Sequence, residues 1–101
     1  MPTLTLPQLV AGRGLAAAAV QRLGPISSAH VMVDARPLVS GTASFAGQVV
    51  RSVLVDGHAA GLIVIGGPDD FLADVRAAAD KLDVTGQVSF ASDDADLHVA
   101  P

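Results

Sequence analysis

The chain contains no cysteine, tryptophan, tyrosine or glutamate, and it has only one lysine and three phenylalanines. Each shortage closes off a chemistry. Without cysteine there is no disulfide, no thiolate ligand for a metal and no cysteine nucleophile. Aromatic residues make up 3% of the chain, so a core has to be filled by Val, Leu, Ile and Ala, which suits slim helices packed close to a sheet. Positive charge is also scarce: six Lys and Arg stand against ten Asp, for a formal charge of −4. A nucleic-acid binder displaces counterions with a basic footprint, and none is present, so DNA and RNA are not expected partners. Long apolar runs are missing too. Leu15–Val20 and Leu62–Ile65 are the longest mostly apolar stretches, far short of the roughly twenty residues that cross a bilayer. The start of the chain lacks the basic segment of a signal peptide, and Arg13 breaks its first apolar stretch. A cytoplasmic protein without membrane association is the expectation.

What remains is strongly apolar. Of 101 residues, 50% are hydrophobic and 16% charged, with a mean hydropathy of +0.51. Disordered chains have the opposite balance, so the composition implies a folded core, and the length allows one domain. A chain this short encloses only part of so much apolar surface. An exposed patch that meets a partner or a second copy, most simply as a homodimer, is therefore expected.

Residues 3–5, Thr-Leu-Thr, fit a short edge strand, while Thr5 with Gln8 also reads as a capping box with Pro7 in the first turn. Leu9, Val10, Ala16, Ala17, Val20 and Leu23 then recur at helical spacing, predicting a helix over 7–23 that stops at Gly24-Pro25. His30-Val-Met-Val-Asp34 reads as a buried strand over 31–34. Phe45, Val49, Val50, Val53 and Leu54 form one face of a helix over 44–56, which Asp56-Gly57 ends. The apolar run Gly61-Leu-Ile-Val-Ile-Gly66 predicts a strand over 62–66 with apolar neighbours on both faces. Pro68, Asp69 and Asp70 open a third helix, over 68–82, with Phe71, Leu72, Val75, Ala78, Ala79 and Leu82 buried. Gln87-Val-Ser-Phe90 alternates as a last strand over 87–91, and residues 92–101, with Asp93, Asp94 and Asp96, read as a solvated acidic tail. The order β-α-β-α-β-α-β predicts an α/β domain over 1–91: a single-layer, mostly parallel four-stranded sheet covered by about three helices.

Within that frame the stretch from His30 to Phe90 carries a pattern. A short apolar strand ends in Asp34, small hydroxyl residues follow, and Val39-Ser-Gly-Thr-Ala-Ser-Phe-Ala-Gly47 leads into a helix and then the strand Gly61-Leu-Ile-Val-Ile65. This resembles STAS domains, and more closely the small STAS-like variants, whose helix begins Ser-Phe-Ala-Asp. Gly12-Arg13 is similar to the Gly-basic pair of their first helix. The resemblance implies a non-enzymatic regulatory module without cofactor, akin to the antagonists of anti-sigma factors. These bind a kinase-like protein and are switched by phosphorylation of a Ser or Thr at the start of that helix. Ala43 occupies the usual acceptor position, with Thr42 and Ser44 on either side as the candidate phosphoacceptors, and Gly47 replaces the signature Asp. Ser40, Thr42, Ser44, Phe45 and Gly47 are accordingly the candidate partner-binding residues.

These residues have a simpler reading as well, because Ser and Thr before a helix commonly serve only as N-caps. What favours a site is location: in a parallel sheet, ligands and partners meet the loops at the carboxyl ends of the strands, where Asp34 and loop 40–44 are expected to converge. Other constellations carry less. Gly66-Gly67-Pro68-Asp69 lacks the Gly-Lys-Ser/Thr of a phosphate loop and reads as a tight turn. His30, His58 and His98 lie far apart in the chain and do not make a metal site. Asp93, Asp94 and Asp96 lack the Gly and distal Glu of a calcium loop. An unidentified protein partner is thus the leading expectation, a homo-oligomeric structural or accessory protein the second, and a small α/β enzyme or nucleotide binder the third.

Overall fold

The computed structural model describes residues 2–91. Along the chain run β1 (Thr3–Thr5), β2 (Leu9–Val10), α1 (Arg13–Gln21), β3 (His30–Asp34), β4 (Ser40–Gly41) and α2 (Ala43–Val50). A π-helical stretch, Arg51–Asp56, continues α2 and is followed by β5 (Gly61–Ile65), α3 (Asp69–Lys81), a 3-10 turn (Thr85–Gln87) and β6 (Val88–Ala91). The four longer strands form one sheet in the order β1-β3-β5-β6, and every pairing is parallel. The α/β architecture expected from the strand and helix patterns is the one observed. The acidic tail proposed for 92–101, with its three Asp and His98, lies outside the described residues.

Because sheet order follows chain order, each right-handed crossover sets its helix on the same face of the sheet. The helices line up accordingly, α2 touching both α1 and α3. Alternation along β3 then sorts its side chains: Val31 and Val33 are fully buried beneath the helices, while His30, Met32 and Asp34 point to the other face. In β5 the buried pair under the helices is Leu62 and Val64, and Ile63, in register with Met32, lies on the other face. No described helix covers that second face. On that face the neighbours of β5 are mixed, Met32 beside Ile63 and Asp34 beside Ile65, which is itself buried, so apolar neighbours on both faces are only partly found. At one end of the uncovered face the His30 ring lies on Gly61, where a Cβ would come within 2.9 Å of it.

The helix expected over 7–23 begins only at Arg13. Gly12 sits at φ 86°, outside the helical region, and the Gln8 carbonyl accepts the N–H groups of Val39 and Ser40 instead of an intrahelical donor. Residues 9–10 thereby form a small parallel pair with β4, and Thr5 belongs to β1 rather than to a capping box. The helix over 44–56 has the expected extent but widens after Val50. Three consecutive residues, Ser52, Val53 and Leu54, are buried there, which the wider π turn permits. Between α2 and α3 the Phe45 and Phe71 rings meet at 6.5 Å.

Candidate functional site

Loop 40–44 is built from backbone pairing and one cap. Ser40–Gly41 pairs with Leu9–Val10, and the Thr42 hydroxyl accepts the Phe45 N–H at 3.2 Å, closing the first turn of α2. The same hydroxyl receives a longer bond, 3.4 Å, from the Gly12 N–H, which ties the start of α1 to the start of α2. Thr42 is thus occupied as a structural cap. Ser44, one residue into the helix, is exposed, and its hydroxyl makes no hydrogen bond among the described residues.

The remaining candidates divide between inside and outside. Phe45 is 1% exposed and belongs to the core, so its ring supports the surface from beneath rather than forming it. Gly41 is needed for packing: a Cβ there would meet Val10 Cγ2 at 3.0 Å and Phe71 Cδ1 at 3.1 Å. Gly47 is different, because its nearest neighbour would be Ala78 Cβ at 3.9 Å, an ordinary contact. The missing side chain at Gly47 leaves a gap at the surface between α2 and α3.

Asp34 does not join this loop. Its carboxylate is held by Arg36 through two bonds of 2.9 Å, from Nε and from an Nη, and by the Arg36 backbone N–H at 3.1 Å. The guanidinium lowers its pKa below the ordinary carboxylate value, against a small opposing effect of burial. By the alternation of β3 this pair lies on the uncovered face, away from the helices. Convergence of the Asp34 carboxylate with loop 40–44 is therefore corrected; the strand end is shared, the face is not.

Two surface features went unremarked in the sequence. First, the exposed large hydrophobic side chains among the described residues are Leu9, at 70% exposure, Val39, at 67%, and Leu15, at 48%. Leu9 and Val39 belong to the β2–β4 pair and its lead-in, beside loop 40–44, and Leu15 to the first turn of α1, whose preceding Gly12 is bonded to Thr42. Leu9 was masked by a helical periodicity that runs straight through Gly12. Second, a groove of about 510 Å³ runs between α2 and α3 past Ser44, Gly47 and Arg51 on one side and Asp74, Ala78 and Lys81 on the other. The spacing of Asp74 and Lys81, two turns apart on one face of α3, was the available signal. Among the described residues no group of three or more His or Asp side chains is placed to hold a metal ion, and no helix is long and apolar enough to cross a membrane.

Comparison with protein-family models gives no match, and no curated protein or solved structure matches the chain either. The resemblance to STAS domains rests on Asp34, residues 39–47 and the order of elements.

Proposed function

We propose that this chain is a non-enzymatic protein–protein interaction module of STAS-like kind, which holds a protein partner at loop 40–44 and the first turns of α2. One observation carries the reading: Leu9 and Val39 stand exposed beside that loop, with Leu15 exposed in the first turn of the adjoining α1. Fully burying a Leu or Val is worth about 1.5–3 kcal/mol, so three of them supply a real but modest driving force. Specificity then falls to the polar rim of Ser40 and Ser44, both exposed. Ser44 is the phosphoacceptor in this reading, because the Thr42 hydroxyl is engaged in the cap. A phosphate on Ser44 brings roughly −1.5 to −2 charge to the edge of an apolar contact and switches binding off.

The test is affinity capture from the native host with wild type, Gly47→Arg and the double variant Leu9→Asp/Val39→Asp. Gly47→Arg is a clean probe, since no neighbour obstructs a Cβ at that position. Loss of the same captured protein in the double variant, in Gly47→Arg and in an added Ser44→Asp variant is the expected result. Capture that survives Leu9→Asp/Val39→Asp unchanged would place the working surface elsewhere.

A further inference from the structure

The groove between α2 and α3 has a charge pattern that loop 40–44 does not explain. A Cβ on Gly47 would lie 3.9 Å from Ala78 Cβ, so these two positions face each other across the parallel helices α2 and α3 and give their register. One turn toward the N-termini lie Ser44 and Asp74, and one turn toward the C-termini lie Arg51 and Lys81. The groove is therefore acidic at one end and basic at the other. None of the three charged groups forms an ion pair within the described residues, where the Arg36–Asp34 bridge is found instead. Two of the chain's six Lys and Arg thus line one groove without a carboxylate to meet them.

We infer that this groove receives α3 of a second copy of the chain, running antiparallel about a two-fold axis. A polar groove with opposite charges at its two ends is complementary to itself when reversed, which is the requirement of an isologous dimer. With the axis passing between Ala77 and Ala78, Asp74 faces Lys81 of the second copy, and the same pair recurs on the other side of the axis. Arg51 stands at the same end as Lys81 and adds a second cation toward the incoming Asp74. Ala77, Ala78 and Gly47 at the centre place no bulk between the helices, so their backbones can approach closely.

The size of the face decides the strength. A 13-residue helix is about 20 Å long, and α2 with α3 spans about as much across, giving a projected face of roughly 400 Å². That is below the roughly 800 Å² per partner of a stable interface, so the dimer is weak and reversible, with Kd on the order of 100 µM. Ser44 and Gly47 border both this groove and the proposed partner site, but Asp74 and Lys81 belong to the groove alone and Leu9 and Val39 to the apolar edge alone, so variants at those residues tell the two apart.

Sedimentation equilibrium on the full chain, from about 10 µM to about 1 mM, brackets that affinity. Wild type is expected to rise from 10.1 kDa toward twice that mass. Raising NaCl from about 0.05 M to about 0.5 M should weaken it severalfold, because exposed ion pairs are screened. Arg51→Asp/Lys81→Asp makes an all-acidic groove and Asp74→Lys an all-basic one; each alone should associate at least tenfold more weakly. Mixed one to one, the two variants should restore the mass of a dimer. A wild type that stays at 10.1 kDa throughout, association that salt strengthens, or a mixture no heavier than its parts would overturn the proposal. The salt series uses the unaltered protein, so it decides the matter even if a variant fails to fold.

Discussion

The two faces of the sheet are made from the same strands yet live in different surroundings. On one face Val31, Val33, Leu62 and Val64 are sealed beneath three helices; on the other, Met32 and Ile63 are half-buried and Ile65 is buried, beside the Asp34–Arg36 pair and without a helix above it. Parallel sheets are usually covered on both faces. In this chain strand order follows chain order, so every crossover returns on the same side and the second face gets no helix. Topology rather than hydrophobicity decides which apolar residues are core.

Adjacent positions of β5 give the sharpest way to break that comparison. Val64→Asn buries an amide where the helix layer offers it no partner and should cost about 2–5 kcal/mol. Ile63→Asn, one residue away on the uncovered face, should cost about 1 kcal/mol or less. Urea midpoints of the two variants measure the contrast. Equal losses would mean that the second face is covered in solution.

The turn that carries the chain from the sheet into the helix layer comes next in size. Gly67 sits at φ 100°, and a Cβ there would stand 2.9 Å from Ala35 Cβ. Gly67→Ala therefore meets both a backbone penalty and a clash with a fully buried neighbour, about 1–3 kcal/mol together. A thermal midpoint unchanged by the substitution would show that this turn rearranges freely.

Thr42→Ala probes the other entrance to the helix layer. It deletes the oxygen that accepts the Phe45 N–H, and loss of such a cap costs about 1 kcal/mol. Thr42→Ser keeps the oxygen and should retain most of the stability. If both variants behave alike in denaturant, the hydroxyl is not what holds the first turn of α2.

The smallest effect belongs to the uncovered face. Arg36 lowers the Asp34 pKa, so the contribution of the pair is complete above the ordinary carboxylate range, near pH 4, and fades as pH falls through the lowered value. The Arg36 side chain is 45% exposed, which keeps that contribution below about 1 kcal/mol. Arg36→Ala should therefore lower stability at pH 7 by less than about 1 kcal/mol and leave stability below the lowered pKa unchanged, which flattens the acid limb of a stability-against-pH curve. A large loss at pH 7 would assign Arg36 a further structural role.

The candidate site was legible only in part. Thr42 as a cap and Ser44 as an exposed hydroxyl follow from residue type at the start of a helix, and Gly47 as a gap follows from its place one turn later. Phe45 beside them is core because helical geometry turns it inward onto Phe71, a contact between residues far apart in the chain. The groove opposite Gly47 needs Asp74 and Lys81 from α3, and no local pattern says which helix becomes the neighbour of α2.

By itself the sequence determined where β3, β5, α2 and α3 lie, because apolar periodicity, a capping Thr42 and the Gly66-Gly67-Pro68 turn act over neighbouring residues. The crossovers between apolar strands implied a parallel sheet for the same local reason. Only the tertiary structure decided that residues 9–10 leave the helical pattern to pair with Ser40–Gly41, since the partner strand lies thirty residues away. It alone decided that the helices share one face and that Asp34 turns from the loop it precedes. Periodicity records that a side chain is turned away from water; which element turns it away is set by the path of the whole chain.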